Sequence, residues 1–514
     1  MTRNGEWGLT PSVKAGTGAV TKNKKVNSDF TGLIEGEKKE CSHLDLSKIF
    51  NPERIAVIGV SMTNQFHPAN IIYNKNYYGY ECETYGVNPK GGELEHRRIY
   101  RSVREIPEKV DMAVVSVKAH YVVEVARDCA EAGVGALVVI SGGFAEMGEE
   151  GLLLQDELVE ICRANSMTLI GPNCFGVYSP PLVDTFFLPP ERTVFPRKGD
   201  IAVASQSGAF LVDQVMTSFH EAGIGISVAV SMGNKAMVDE GCLLEHFTGR
   251  SDTHCLCFYI EGLDPGVRRF IESARKVTQH TPIVVYMGGK SERGQAAARS
   301  HTAALAGNHD MIAGALKQSG ILEAETEQEV TSFCKILSFY HHRPLRQCTI
   351  AVLSSSGGHG VLASDLASQA SLNVVEFSAE RQEKLRDLVE PALHDIASFA
   401  NPIDLTGSAT DQDFERSLDY LLAQDDIEAA LVLALPYTPM LTSFVGTRLG
   451  QVVKRHDKPV VAYVPNLAKY GMVLEGFELN GIPVVHSIEE GVQMMKALRL
   501  LGLYAGGSAP GCPR

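Results

Sequence analysis

The sequence predicts an α/β protein built of three parallel-sheet domains, and three observations carry that expectation. Short apolar runs alternate with helix-length amphipathic stretches over most of the chain. Glycine and serine recur where an apolar run gives way to a helix. The 514 residues include 48 glycines and are 44% hydrophobic, which suits a glycine-turn-rich globular chain of about three domains. Strands alternating with helices imply right-handed βαβ crossovers and therefore parallel sheets.

Taken in order, residues 1–44 are polar, with "TKNKKVN" and "GEKKE", and read as a flexible leader. The segment has no hydrophobic signal core and is neither Arg-rich nor acid-poor, so a cytoplasmic location is expected. Residues 45–185 hold the strand candidates "RIAVIGVS" (54–61), "ETYGVN" (83–88), "MAVVSV" (112–117), "ALVVIS" (136–141) and "MTLIGP" (167–172). Helical stretches such as "YVVEVARDCAEAG" (121–133) and "LQDELVEICRAN" (154–165) lie between them, which makes this unit Rossmann-like. A proline-rich connection (179–196) leads to a second unit, 197–340, with "DIAVASQSG", "GISVAVSMGN", "CLCFYIEG" and "PIVVYMGGK". After the linker "HHRPLRQC", a third unit spans 347–505, and 506–514 read as a loose tail.

A formal charge of −14 argues against nucleic acid or an anionic membrane as the main partner. None of the apolar runs approaches the roughly 20 residues a membrane span needs. Cys129, Cys162, Cys255 and Cys257 fall inside apolar elements, as reduced, buried thiols do. Cys255-x-Cys257 lies in a buried strand without a second pair at ligand spacing, so no metal site is expected.

Two features carry chemistry. In "SQSGAFLVDQVMTSFHEAG" a strand ends at Ala204, Ser205 to Gly208 form a turn, and a helix runs to about Glu221. Free N–H groups and the positive dipole end suit a phosphate there; an ordinary serine cap explains the same residues. The turn "VIGVSMTNQFHPAN" (57–70) has Gly59 and Ser61 but lacks the later glycines of a dinucleotide fingerprint, which disfavours NAD. The second feature is a pair. Glu261 follows one buried strand and His301, in "ARSHTAALAG", follows the next. Neighbouring strand ends lie close together, so Glu261 can orient the ring and free its other nitrogen as a nucleophile. A surface histidine beside a chance carboxylate is the alternative.

Nine segments in order resemble one family: "VNPK" (87–90), "ISGGFAE" (140–146), "IGPNCFGV" (170–177), "SQSGAF" (205–210), "VSMGNKAMVDEGCLLEHF" (230–247), "YIEG" (259–262), "KSERGQAAARSHTAALAG" (290–307), "SSSGGHGVLASD" (354–365) and "NPIDLTG" (401–407). The chain resembles the α subunit of NDP-forming acyl-CoA synthetases, relatives of succinyl-CoA synthetase. The resemblance implies a CoA-binding Rossmann-like domain (45–185), a ligase domain with a phosphohistidine loop (197–340) and a flavodoxin-like ligase domain (347–505). It makes His301 the phosphorylated residue, Glu261 its steadying carboxylate, and Ser205, Ser207, Gly208 and Ala209 the phosphate cradle. CoA contacts are expected at Ser61, Asn88, Lys90, Ser116, Lys118, Ser141, Gly142, Gly143 and Asn173.

The implied reaction joins a small carboxylic acid to CoA with ATP, giving acyl-CoA, ADP and phosphate, through acyl phosphate and phosphohistidine. No ATP-grasp domain fits beside the three units, so ATP, ADP and Mg2+ are expected on a separate β subunit in an αβ or α2β2 heteromer. Departures from the acetate-type pattern lie in "SMTNQFHPAN" and at Lys118, where those enzymes carry proline. CoA recognition or acid choice is therefore expected to differ. A CoA-binding regulatory or scaffolding protein that has lost ligase chemistry is the competing function. His359, in a polar glycine loop, is assigned to a subunit interface rather than to a second phosphate carrier. Cys174 reads as a structural thiol, His67 as a loop residue or a CoA phosphate contact, and Asp239 and Glu240 as helix caps.

Overall fold

The computed structural model describes residues 44–263, 266–302 and 309–504, with the backbone alone at 298–302 and 309. The leader expected before Leu44 and the tail expected after Tyr504 lie outside these residues. Three sheets account for the architecture. The first contains β1 (Arg54–Ile58), β2 (Glu83–Val87), β3 (Gly92–Leu94), β4 (Arg97–Tyr100), β5 (Met112–Val115), β6 (Ala136–Val139) and β7 (Thr168–Ile170). Its order is β3-β4-β2-β1-β5-β6-β7, parallel throughout except for the β3–β4 hairpin. Every residue of β5 and β6 is buried, as expected for strands covered by helices on both faces. The helix Ala119–Glu131 buries Val122, Val123, Ala126 and Cys129, a single apolar stripe at helical spacing.

The second sheet contains β8 (Gly176–Ser179), β9 (Val183–Asp184), β10 (Lys198–Ser205), β11 (Ile226–Ser231), β12 (Cys255–Ile260), β13 (Ile283–Met287) and β14 (Leu322–Ala324). Its order is β14-β13-β12-β10-β11-β8-β9, with β8 antiparallel to β11 and β9 antiparallel to β8. The sheet thus reaches back to Gly176, ahead of the boundary at 185 expected for the first unit. A buried polar cluster explains why β9 stays there. Asp184 is fully buried and pairs with Lys75 at 2.7 Å, and Asn76 donates to the Asp184 carbonyl at 2.6 Å. Lys75 and Asn76 belong to the helix Pro68–Gly79 of the first sheet, so this cluster ties the two sheets together.

The third sheet contains β15 (Ile350–Ser354), β16 (Ile403–Asp404), β17 (Ala429–Leu433), β18 (Val460–Tyr463) and β19 (Val484–Val485), all parallel in the order β16-β15-β17-β18-β19. The helices Glu327–Tyr340 and Ile488–Tyr504 pack together between the second and third sheets, so one apolar core serves both. Lys335 reinforces this junction, donating to the Val484 carbonyl at 2.7 Å and to Glu478 at 2.9 Å.

Candidate functional site

The second sheet sets the geometry of the site. β10 lies between β11 and β12, and β12 pairs with β13, so Ser205, Ser231, Ile260 and Met287 end side by side. From Ser205 the chain turns into a helix at Gly208, and Phe210–Met216 is wound as a π-helix before Thr217–Glu221 returns to α geometry. π-Turns of this kind widen a helix locally and recur at functional sites. Within the turn, Ser205 is fully buried and its hydroxyl donates to the Ser207 carbonyl at 2.6 Å. Ser205 therefore braces the turn rather than facing a ligand. The Ser207 hydroxyl accepts from the Phe210 N–H at 3.3 Å, as a helix cap does. The N–H groups of Gly208 and Ala209 lie in the first turn, where intrahelical partners are lacking. Gly208 is required by packing, because a Cβ there would stand 2.0 Å from the Phe175 ring.

Glu261 follows β12 immediately and meets this turn. The Gln206 side-chain oxygen accepts from the N–H groups of Glu261, at 2.5 Å, and Gly262, at 3.1 Å. The Glu261 carboxylate accepts a hydrogen bond from Tyr259; burial, followed by that carboxylate, pushes the Tyr259 phenol up. Tyr259 is itself stacked on Phe210 at 4.0 Å. The Gly288 N–H, just past β13, donates to the Ile260 carbonyl at 2.8 Å. From there the chain enters the helix Glu292–Thr302, whose backbone carries His301. The His301 side chain, and the loop 303–308 that follows it, lie outside the described residues. The helix packs against the turn Ala145–Met147 of the first sheet, which brings its chain segment to the loop after β6.

The residues expected to contact CoA occupy the carboxyl ends of the first sheet's strands. Ser61 follows β1, Asn88 and Lys90 follow β2, Ser116 and Lys118 follow β5, Ser141 to Gly143 follow β6, and Asn173 follows β7. Strand order reverses at β1, so Ser61 and Ser116 flank the switch-point crevice where open α/β sheets bind ligands. Several of these side chains also support their own loops. Ser61 Oγ accepts from the Asn64 N–H at 3.0 Å, Asn88 Nδ2 donates to the Val60 carbonyl at 2.7 Å, and the Ser141 hydroxyl donates to the Val117 carbonyl. Lys90, Lys118 and Gly142 are exposed, leaving two cations and bare backbone at the crevice. That combination fits a ligand carrying phosphates on one end.

The loop after β6 is held by Glu146. Its carboxylate accepts from the N–H groups of Gly143 at 2.5 Å and Phe144 at 3.1 Å, and from Asn234 Nδ2 at 2.5 Å. Burial opposes its ionisation, but these hydrogen bonds outweigh it and hold its pKa below the usual carboxylate value. Beside the turn after β10, an open groove of about 690 Å3 runs along the π-helical segment, lined by the apolar Phe175, Leu188, Val194, Ala209 and Val212 and by the charged Glu191, Arg192 and Asp213.

Other sequence candidates resolve into structural roles. Cys174 is buried, donates to the Val139 carbonyl at 3.2 Å, and has its thiol pushed up to about 12 by burial. Cys255 and Cys257 are buried in β12, and no group of metal-ligating side chains occurs among the described residues. His67 Nδ1 accepts from the Ala69 N–H at 3.2 Å, capping the helix Pro68–Gly79, and burial lowers its pKa. Asp239 caps the helix Glu240–Phe247. Glu240 opens that helix as its first-turn acid and also accepts from Lys235 at 2.7 Å and from Gln206. Sequence reasoning missed Gln206, Asn234 and Lys235, and gave Glu240 a capping role alone. Their placement inside two of the motif segments was the available signal.

Comparison with known proteins finds family matches over two stretches of the chain. Residues 53–180 match the CoA binding domain family, and residues 198–337 match the succinyl-CoA ligase like flavodoxin domain family. The α subunit of ADP-forming acetate–CoA ligase I of Pyrococcus furiosus is 36% identical over 468 residues, 88% of this chain and 97% of that subunit. A trans-feruloyl-CoA synthase from an unknown prokaryotic organism is 31% identical over 90% of this chain and 66% of its own length. In structure, the chain is similar to the dinucleotide forming acetyl-coenzyme A synthetase 1 of Ca. Korarchaeum cryptofilum, solved with phosphate and ADP. The TM-score is 0.80 at 32% identity, covering 90% of this chain and 98% of that one. No helix among the described residues is long and apolar enough to cross a membrane.

Proposed function

The chain belongs to the ADP-forming acetate–CoA ligase α-subunit family, within the succinyl-CoA synthetase superfamily, and on that premise we propose that it is the acyl-transferring half of an acyl-CoA synthetase. With an ATP-grasp β subunit it interconverts carboxylic acid, CoA and ATP with acyl-CoA, ADP and phosphate. The observation that carries this reading is the convergence at the carboxyl ends of the second sheet's inner strands. There the cradle turn after β10, Glu261 after β12 and the strand leading to His301 stand in adjacent positions, and the His301 helix rests on the CoA-side turn Ala145–Met147.

Each residue then has a task. Gly208 and Ala209 offer N–H groups and the helix dipole to the phosphoryl oxygens, stabilising charge as it develops in transfer. His301 attacks the phosphorus of the acyl phosphate; its P–N bond forms as the acyl oxygen leaves as carboxylate. Glu261 orients the imidazole and balances the positive charge that attack creates. Ser61, Asn88, Lys90, Ser116 and Lys118 hold the nucleotide end of CoA, while Ser141 to Gly143 and Asn173 line the approach to the thioester. CoA, when bound, supplies the thiol. Magnesium and the nucleotide belong to the β subunit. The groove along Leu188, Val194 and Val212 opens from the cradle at Ala209 and takes the carbon chain of the acid. Its volume is in the range of pockets for whole small-molecule ligands, which supports a reading in which acids larger than acetate are substrates.

The test is ATP- and CoA-dependent acyl-CoA formation by the chain reconstituted with an ATP-grasp partner, over a panel of aliphatic and aromatic acids. Turnover with stoichiometric ADP and phosphate, abolished in His301→Ala, is expected. CoA binding without turnover on any acid would replace this reading with a regulatory CoA-binding protein.

A further inference from the structure

Two loops from different sheets interlock beneath the site. The Asn234 N–H donates to the Pro172 carbonyl at 2.9 Å and the Ala236 N–H to the Gly171 carbonyl at 3.1 Å. A Cβ on Gly233 would stand 2.3 Å from the Pro172 carbonyl oxygen and 2.4 Å from that of Asn173, so the backbones touch directly. Both sides are held in a conformation that ordinary side chains disfavour: φ is +57° at Asn173 and +44° at Lys235. Such conformations persist only where the surroundings over-determine them, and they cluster at functional sites.

Side chains extend the interlock in two directions. Toward the first sheet, Asn234 Nδ2 donates to Glu146 at 2.5 Å and to Gln155 at 3.0 Å, and its oxygen accepts from Asn173 at 3.3 Å. Glu146 in turn holds the N–H groups of Gly143 and Phe144. Toward the second sheet, Lys235 Nζ donates to Glu240 at 2.7 Å and to the Gly262 carbonyl at 2.6 Å. Gln206 Nε2 donates to Glu240 at 2.5 Å and to the same Gly262 carbonyl at 2.8 Å, while its oxygen takes the N–H groups of Glu261 and Gly262. Glu240 is only 2% exposed. A carboxylate is costly at such a place unless it is paired and hydrogen-bonded. Here the pair spends its hydrogen bonds on the peptide that carries Glu261, fixing Gly262 at both its N–H and its carbonyl.

We propose that the Gly233–Asn234–Lys235 loop is a positioning bridge between the two halves of the site, with Asn234 holding the CoA-side loop 141–146 and Lys235, through Glu240 and Gln206, setting Glu261 for the phosphohistidine. The bridge rests on the function proposed above. It adds that occupancy of the CoA crevice is felt at Glu261 through side chains that touch neither CoA nor phosphate.

The experiment uses the enzyme assembled with its β subunit and loaded with phosphate from MgATP, which requires no knowledge of the acid. The readouts are the decay rate of phosphohistidine, its change on adding CoA, and CoA affinity. In the wild type, CoA shifts the decay rate by about fivefold or more. Lys235→Met speeds decay by about tenfold and leaves CoA affinity within about twofold; Lys235→Arg restores decay to within about threefold of wild type. Asn234→Ala abolishes the response to CoA. The paired variant Lys235→Met/Glu240→Gln removes both charges of the pair, so no unpaired carboxylate is left buried and the fold is kept while Glu261 is left unset, and it too decays faster. Unchanged decay and an unchanged CoA response in these variants, with the wild type phosphorylated, overturn the bridge alone. A wild type that takes no phosphate overturns the underlying function, and the bridge with it.

Discussion

Two strand–turn–helix units in this protein look alike as text and differ in structure. In the second sheet, β10 runs through "SQSG" into a helix; in the third, β15 runs through "SSSGG" into the helix Gly357–Gln369. The first helix opens with a π-wound segment, packs Phe175 where Gly208 lacks a side chain, and stands beside Glu261 and the strand leading to His301. The second is an ordinary α-helix whose first residue faces a carboxylate: a Cβ on Gly357 would lie 3.0 Å from Asp404 Oδ2. A carboxylate at that distance competes for the space and the positive end of the dipole that an anion would use. His359 there is engaged with its own turn, its Nδ1 3.1 Å from Ser356 Oγ. On the function proposed above, the turn of the second sheet is the one that takes phosphate, and the strand ends beside each turn are what set the two apart.

The largest expected effect comes from filling the first turn. Gly208→Leu should collide with Phe175 and cost about 100-fold or more in phosphohistidine formation, while Gly358→Ala, with nothing within 4 Å of the added carbon, leaves that rate unchanged. Stopped-time labelling with thermal melts alongside separates the two. Next, Glu261→Gln is expected to lower phosphotransfer by about 10- to 100-fold; Asp404→Asn, at the end of the strand beside β15, leaves phosphotransfer within about twofold. Equal losses in both would erase the distinction drawn between the units.

How much of this was legible beforehand differs by kind of residue. Strands such as β5 and β6 announced themselves because a parallel strand buried on both faces is a continuous apolar run. The hairpin β3–β4 and the recruitment of β8 and β9 into the second sheet did not, since "GEL", "RRIY" and "VD" are too short for periodicity, and β9 is held by Lys75 more than 100 positions away. The same holds at the site. Strand-end logic placed Glu261 and the Ser205–Ala209 turn at adjacent strand ends, where the structure has them, and Asp239 was correctly read as a cap. Glu240 was assigned the same role, and its true partners, Lys235 and Gln206, become visible only once β10, β11 and β12 lie side by side. Ser205 was counted with the cradle because a motif does not reveal which serine is turned inward.

Smaller effects sharpen the comparison. Val212→Phe, on the wall of the groove beside the first helix, is expected to raise KM for a bulky acid by about fivefold to tenfold while changing kcat little; steady-state kinetics on a short and a bulky acid check it, since lost packing against one chain segment is worth about 1 to 3 kcal/mol. His359→Ala, in the second unit, is expected to leave phosphohistidine formation within about twofold of wild type, read by the same labelling assay.

The most direct test of the central claim is intact-mass detection of one acid-labile, base-stable phosphate on the chain after incubation with its ATP-grasp partner and MgATP, with His301→Ala run in parallel. The account predicts a single phosphate on the wild type and none on the variant. An unlabelled wild type, or equal label on both, would contradict it.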